Sequence, residues 1–331
     1  MEPAPSLRIG LLGDVMLGRS VGQRLREGSE PAALWDASLR ELARSLDLVI
    51  CNLECCLSTR GAPTTLIAGK PFFFRGPPRA VDSLRAIGVR VAGLANNHLL
   101  DFGSDAGADT VALLRAGGIA AVGAGEGLTA ARAPAIVECA GKRVGVLALA
   151  DHPVEYAAAA NRFGTAYASL HNGPPAWLLS ALEELRARCD LLIVFVHWGP
   201  NMTSRPAAWQ RRAAAALCAA GADLVAGHSA HVFHGVGFER GRPMLYDLGD
   251  ALDDYSVDPT LRNDLGVLAV WSPGVAGAEL ELVGLELDYI HTRLAAGAQA
   301  DWIAQRLARA CEELGSAVER IEPDRFRIRP A

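Results

Sequence analysis

Six apolar runs in this chain end in side chains that ligate metals or move protons. Leu11-Leu12-Gly13 leads into Asp14, Val49-Ile50-Cys51 into Asn52 and Glu54, and Ala92-Gly93-Leu94 into Asn96, Asn97 and His98. Ile193-Val194-Phe195-Val196 leads into His197. Leu224-Val225-Ala226-Gly227 leads into His228, with His231 three residues on, and Leu245-Tyr246 leads into Asp247 and Asp250. Four of the eight histidines fall at three of these ends. The set is carboxylate, amide and imidazole without thiolate. Such a mixed nitrogen and oxygen set suits Mn²⁺, Fe or Zn²⁺ better than Ca²⁺, which prefers oxygen alone, so one or two divalent metal ions are expected. Each residue also has a plainer reading. Asp14 can cap a helix starting near Leu17, Glu54 can be a surface charge, His98 a satisfied loop residue and His197 a core histidine. The close pair His228 and His231 is harder to dismiss. His152, after Asp151 at another strand end, and His234 are candidate substrate contacts with a structural reading beside each. His171 and His291 have no supporting context.

The elements that must carry these residues follow from periodicity and punctuation. Short runs rich in Val, Ile and Leu predict strands near 7–12, 47–52, 89–94, 119–123, 134–138, 143–149, 191–197, 223–227, 242–247, 266–271 and 279–287. Helices are expected near 20–27, 34–45, 78–87, 104–116, 175–188, 206–220 and 299–315, the last with Ile303, Leu307, Cys311 and Leu314 on one face. Three helices run into Gly and then a strand, at Gly88, Gly117-Gly118 and Gly221, because glycine takes the left-handed turn past a helix end without steric penalty. Helices alternating with strands predict an α/β fold. A hairpin around Gly141-Lys142 and a strand-rich 233–288 make the sheets mixed. In such folds sites collect outside the carboxyl ends of strands, which is where the polar residues fall. No repeat or linker divides the chain. One catalytic domain over 1–290 is expected, with a C-terminal helix and tail over 291–331 packed on it.

Composition excludes several classes. The 331 residues are 50% hydrophobic and 21% charged, with a net charge of −5, an ordinary globular balance. No basic stripe marks a nucleic-acid partner. No apolar stretch approaches the roughly 18 residues of a membrane span, and MEPAPSLRIGLLGD lacks the basic and apolar regions of a secretory leader, so a cytoplasmic location and no membrane partner are expected. The seven cysteines form no C-x-x-C pair. They read as reduced core thiols, with Cys51, Cys55 and Cys56 the one cluster and zinc the lesser reading of it. Oligomeric state has no signature.

Taken in order, Gly13-Asp14-Val15-Met16-Leu17-Gly18-Arg19, Asn52-Leu53-Glu54, Leu94-Ala95-Asn96-Asn97-His98 with Asp101 and Gly103, His197-Trp198-Gly199, Gly227-His228-Ser229-Ala230-His231-Val232 and Tyr246-Asp247-Leu248-Gly249-Asp250 resemble the CapA-like proteins of poly-γ-glutamate capsule biosynthesis, a branch of the calcineurin-like metallophosphoesterase superfamily. The resemblance covers residues 8 to about 253. It implies a four-layer α/β/β/α sandwich of two mixed sheets with a metal centre at their strand ends. By position it implies that Asp14, Glu54 and His231 hold one ion, that Glu54 bridges to a second held by Asn97, His197 and His228, and that His98 is an acid/base group beside them. Met16 stands where the superfamily has a histidine, Ser229 and Ala230 replace a His-Pro pair, and Asp247 and Asp250 are carboxylates the family pattern lacks.

The resemblance implies two reactions. A metal that acidifies water and clamps a phosphoryl oxygen gives phosphoester hydrolysis, with His98 protonating the leaving group. Some soluble members of the family are peptide epimerases of lasso-peptide biosynthesis, in which a metal stabilises an enolate-like intermediate while one group removes an α-proton and another returns it. The altered motifs and the extra carboxylates Asp247 and Asp250 favour epimerisation of a peptide substrate. Phosphoester hydrolysis and γ-glutamyl amide ligation or hydrolysis remain as alternatives. Arg75, in the Pro71–Arg75 segment, is a candidate partner for a substrate carboxylate.

Overall fold

The computed structural model describes residues 7–274 and 279–331. Met1–Ser6, which open the segment read for a leader, lie outside them. Two sheets form the centre. The larger has ten strands, and its main path runs Ser316–Glu322, Arg325–Pro330, Glu279–Leu287, Leu265–Ser272, Ile9–Val15, Leu48–Leu53, Val89–Gly93 and Ala120–Val122, with Asp250–Leu252 and Thr292–Leu294 paired beside it. The smaller has six, in the order Val236–Glu239, Arg242–Leu245, Leu224–His228, Leu191–His197, Lys142–Ala150 and Ala135–Cys139. Both mix parallel and antiparallel pairs.

The apolar runs are continuous because both faces of each strand are covered. Along Leu48–Leu53, Leu48 and Ile50 join the core between the sheets, while Val49, Cys51 and Leu53 join the outer core against the helices. Along Leu191–His197, Ile193 and Phe195 face the other sheet, and Leu192, Val194 and Val196 pack under the helices Ala176–Arg186 and Ala208–Ala219. Helix, sheet, sheet and helix make four layers. The two-residue alternation of a strand carries on to the polar ends. Asn52 shares the parity of Leu48 and Ile50, His197 that of Ile193 and Phe195, and His228 that of Leu224 and Ala226. All three therefore point into the gap where the carboxyl ends of the two sheets meet.

Several boundaries differ from expectation for local reasons. The helix expected over 34–45 is a short 3₁₀ turn, Pro31–Leu34, followed by Ala37–Arg44, because Asp36 caps the second piece by accepting from the Ser38 N–H at 2.9 Å. The strand expected over 242–247 stops at Leu245, and the chain returns as Asp250–Leu252, parallel to the first strand. Gly88 and Gly221 take φ of 74° and 115° at their helix ends, whereas in the Gly117-Gly118 pair it is Gly118, at 77°, that turns left-handed. Residues 291–331 add strands to the larger sheet. Helix Gly297–Glu312 also places Ile303, Leu307 and Cys311 in the inter-sheet core, over the strands that extend beyond the smaller sheet. The tail is a hairpin, Ser316–Glu322 with Arg325–Pro330. All seven cysteines are buried and free.

Candidate metal centre

Asp14 belongs to two groups of ligand atoms. One is Asp14, His197 and His228; the other is Asp14, Glu54, His231 and Asp250, and within each group the ligand atoms lie within 4.8 Å of one another. The first strand brings Asp14 there through a close approach. A Cβ on Gly13 would lie 1.9 Å from the Gly249 carbonyl oxygen, so only glycine lets the two segments touch. Asn52, paired with Asp14 in register, donates its amide to Asp14 Oδ1 at 2.7 Å. His197 and His228 are partners across parallel strands, and their Nδ1 atoms stand 3.0 Å apart.

The loop after His228 is held in an unfavourable backbone. Ser229 and His231 have φ of 117° and 60°, conformations that together cost a few kcal/mol in a non-glycine pair. Three hydrogen bonds hold it: the Ser229 N–H donates to Asp14 Oδ2 at 3.1 Å, the Ala230 N–H to Asp247 Oδ2 at 2.8 Å, and the His231 ring meets Asp250 Oδ1 at 2.8 Å. The result places His231 Nδ1 3.6 Å from Asp14 and 3.9 Å from Glu54.

This centre holds more acid than base. Burial, then the Asp14 charge, raises Glu54 well above the ordinary carboxyl range, and burial with the Asp253 and Asp14 charges does the same to Asp250. Burial would raise Asp14 too, but the bond and charge of His228, the charge of His231 and the Asn52 amide outweigh it and hold Asp14 low. Burial alone would lower His231, but Glu54 and Asp14 overcome it and raise it. Burial, helped by His228, keeps His197 neutral.

His98 stands beside the groups and outside them. Its Nδ1–H donates to Asp101 Oδ2 at 2.6 Å, and Phe74 stacks on the ring with centroids 3.9 Å apart. Asp101 is itself fixed by the Phe74 N–H at 2.7 Å, the Tyr156 hydroxyl at 3.1 Å and the buried Lys70 ammonium at 3.2 Å. Burial pushes His98 down to about 4 despite Asp101, so the imidazole is neutral with its Nε2 lone pair free. His98 lines a cavity of about 240 Å³ with Arg19, Phe72, Phe74, His231 and Tyr255, and Asn201 and Met202 also contribute to its wall.

The remaining expected residues fall as follows. Asp14, Glu54, His197, His228 and His231 come together, with Asp14 rather than Glu54 as the carboxylate common to both groups. Asn97 has a buried Oδ1 without a hydrogen-bond partner among the described residues. Asp250 sits among the ligand atoms. Asp247 commits both oxygens to backbone, accepting from Ala230 and Gly249 at 2.8 Å each, so it shapes the loop. Arg75 turns away to the carbonyls of Arg60 and Gly61 and stacks on Phe102. His234 donates to the Thr203 carbonyl and is absent from the cavity wall. His152 lies beside His197, with centroids 5.1 Å apart. Asp14 caps no helix, since Gly18 holds that position. Met16 is buried with its sulfur accepting the Gly18 N–H.

Arg19, Tyr255 and Lys70 were not among the expected site residues. Arg19 is the cation of the cavity wall, held by Asp254 at 3.3 Å and lying over Phe72, Phe74 and Tyr255. Tyr255 donates to Glu54 Oε2 at 3.2 Å. The only sequence signal for these was the place of Arg19 in the first motif.

The donor set fits a metal. Glu54 Oε1, Asn97 Oδ1, His197 Nε2 and Asp250 Oδ2 are buried without partners among the described residues, and leaving such atoms unpaired is costly unless a cation takes them. The family described as "Bacterial capsule synthesis protein PGA_cap" matches residues 8–255. The chain is 29% identical to a probable polyglutamine synthesis accessory protein of Mycobacterium tuberculosis, across 92% of this chain and 91% of that one. It is 26% identical to the capsule biosynthesis protein CapA of Bacillus anthracis, across 75% and 60%. Among solved structures, a hypothetical protein from Thermus thermophilus aligns at 17% identity and TM-score 0.45 over 87% of this chain and 96% of that one. A putative 5'-nucleotidase from Staphylococcus aureus aligns at 13% and 0.48, over 91% and 58%. No helix among the described residues is long and apolar enough to cross a membrane.

Proposed function

The chain belongs to the PGA_cap family of bacterial capsule synthesis proteins, and from that premise we propose that it is a metal-dependent hydrolase cutting an amide bond in a carboxylate-bearing, glutamyl-type peptide. The observation that carries this reading is one neutral, cavity-facing imidazole, His98, set beside two ligand groups that share Asp14. Asp14, Glu54, His231 and Asp250 would hold one divalent ion and Asp14, His197 and His228 a second, and the chemistry they would supply is Lewis-acid polarisation and acidified water. Arg19 at the cavity wall pairs with a substrate carboxylate, and Phe72, Phe74 and Tyr255 give the wall beside it an apolar, aromatic surface. Asp101 keeps the proton on His98 Nδ1, so Nε2 accepts a proton from the attacking water. The new C–O bond forms, the C–N bond breaks, and His98 returns that proton to the leaving amine.

Epimerisation of an α-carbon, which the altered motifs favoured, needs a second acid/base group opposite the first. Asp247 is occupied by two backbone N–H groups and Asp250 lies against His231 among the ligands, so hydrolysis, which needs His98 alone, is the better supported. Phosphoester hydrolysis is the second reading. A carboxylate common to two ligand groups suits a two-ion clamp on a phosphoryl group, while the single guanidinium on the cavity wall argues for a carboxylate. The test incubates metal-loaded protein with γ-linked glutamyl oligomers in D₂O and with a generic aryl phosphate. New free amines, lost in His98→Ala, support amide hydrolysis. Brisk phosphate release without amide cleavage overturns it in favour of the second reading, and one deuterium at an α-carbon of an uncut peptide overturns both.

A further inference from the structure

A second concavity, of about 440 Å³, lies outside the metal centre. It is formed by one face of helix Gly297–Glu312 against the 204–205 and 260 loops. Helical spacing aligns Trp302, Gln305, Arg306, Arg309 and Glu313 on that face, and Arg205 reaches it from the opposite wall. Three guanidiniums against one carboxylate is an unusual local balance in a chain of net charge −5. Arg262, next to the groove, grips Asp264 through two bonds of 2.7 Å. By contrast, no ion pair of Arg205, Arg306 or Arg309 is found among the described residues. Arg306 is set between the rings of Phe233 and Trp302, 4.9 and 5.3 Å from their centroids. It donates to the Phe233 and Leu261 carbonyls and has Nη2 buried without a partner among the described residues. The Asp247 charge acts on this guanidinium, but burial outweighs it, so the cation is retained at a cost unless a further anion meets it.

We propose that this groove is a binding site for an oxyanion ligand, the carboxylates or phosphates of a small polyanion, gripped by Arg205 and Arg309 over the Trp302 ring, with the Arg306 charge fixed in the wall beside them. Guanidinium forks match both anions through paired N–H donors. Burial lowers Arg306 only to about 10, so the site is charged at neutral pH. Two chain segments contribute residues both to the groove and to the cavity at the metal centre. Asn201 and Met202 face the cavity while Ser204 and Arg205 face the groove; Ser256 and Asn263 line the first and Thr260 the second. The inference stands on the groove alone, whichever reaction the metal centre performs.

The test uses the full chain stripped of metal by a chelator, so that an anion has no ion to bind. It is titrated at low ionic strength with tricarballylate and with inorganic phosphate, and followed by calorimetry. Saturable binding of either anion, weakened tenfold or more in the Arg205→Gln/Arg309→Gln double variant and unchanged in Arg19→Gln, supports the site, and the better ligand identifies carboxylate or phosphate as its chemistry. Binding that is equal in the double variant, or lost in Arg19→Gln instead, or absent for both anions, overturns it. Both substituted residues are exposed. If the double variant melts early, the single Arg309→Gln variant gives the same comparison.

Discussion

Asp247→Asn changes how the stability of the metal-stripped protein depends on pH. Burial, then the Asp14 charge, raises the Asp247 carboxyl from 3.8 to about 7 against the pull of its two backbone donors. A carboxyl raised on folding binds its proton more tightly in the native state. Its contribution is therefore present in acid and is lost as pH rises from the unfolded value towards the folded one. Between pH 5 and pH 8 that loss is about 2.5 kcal/mol for this group alone. The wild-type curve will not display it cleanly, because His98 and His234, both lowered to about 4 by burial, contribute the opposite slope: their stabilisation is present above about 6.5 and fades as pH falls towards 4. The difference between two proteins isolates the carboxyl. The substituted amide keeps one acceptor and cannot ionise, so the variant is less stable than wild type at pH 5 and recovers by about 2.5 kcal/mol relative to it at pH 8. The assay is urea unfolding of chelator-treated wild type and variant at both pH values. Parallel behaviour, with the gap changing by less than about 0.5 kcal/mol, would show that Asp247 is not an acid held neutral by its buried neighbours. Reloading metal should shrink the effect, because a cation favours the ionised carboxylates.

Asp14→Asn, which touches both ligand groups, should leave less than about a tenth of the wild-type bound metal by elemental analysis, whereas His197→Ala keeps the ion of the Glu54 group; equal loss in the two variants would refute the shared ligand. Asp101→Asn should retain metal and lower kcat by about ten- to a hundredfold with KM little changed, the worth of a charge-assisted bond; a change confined to KM refutes its role in orienting His98. Arg19→Gln should raise KM for a carboxylate substrate and leave metal content alone; an unchanged KM removes it from substrate binding. Asp36→Ala should destabilise the protein by about 1 kcal/mol through loss of the helix cap, read as a lower urea midpoint, and an unchanged midpoint would show that the cap contributes nothing.

The layers were legible because the central strands, such as Ile9–Val15, Leu48–Leu53 and Leu191–His197, are apolar on both faces, and a run that cannot tolerate water on either side must lie inside a sandwich. Alternation then made Asn52, His197 and His228 legible, since their parity with buried neighbours fixes the side they face. The C-terminal hairpin was not legible. Ser316–Glu322 is an edge strand with mostly exposed positions, so it shows no apolar alternation, and its pairing depends on Arg325–Pro330 finding Glu279–Leu287. The helix over 34–45 was over-extended because Trp35, Leu39, Leu42 and Leu46 keep a helical spacing across a break set by one carboxylate.

The acid/base residues show where sequence reasoning stops. Nothing in Tyr246-Asp247-Leu248-Gly249-Asp250 tells which carboxylate meets a backbone N–H and which meets an imidazole; that depends on the left-handed turn at Gly249 and on the return of the chain beside the first strand. Arg75 and Arg19 exchange places for a similar reason. Arg75 lies in a short strand and satisfies loop carbonyls, whereas Arg19, at φ 44° and bound to Asp254, is turned over three rings towards the cavity. The cation-binding character was legible before any of these details. Asp14, Glu54, Asp247, Asp250 and Asp253 are all buried, and carboxylates gathered out of water repel one another at a cost of several kcal/mol unless protons or a cation intervene. The raised Glu54, Asp250 and Asp253 are that repulsion together with desolvation. A fold that keeps such a cluster, and strains Ser229 and His231 to complete it, gives up stability in order to bind positive charge.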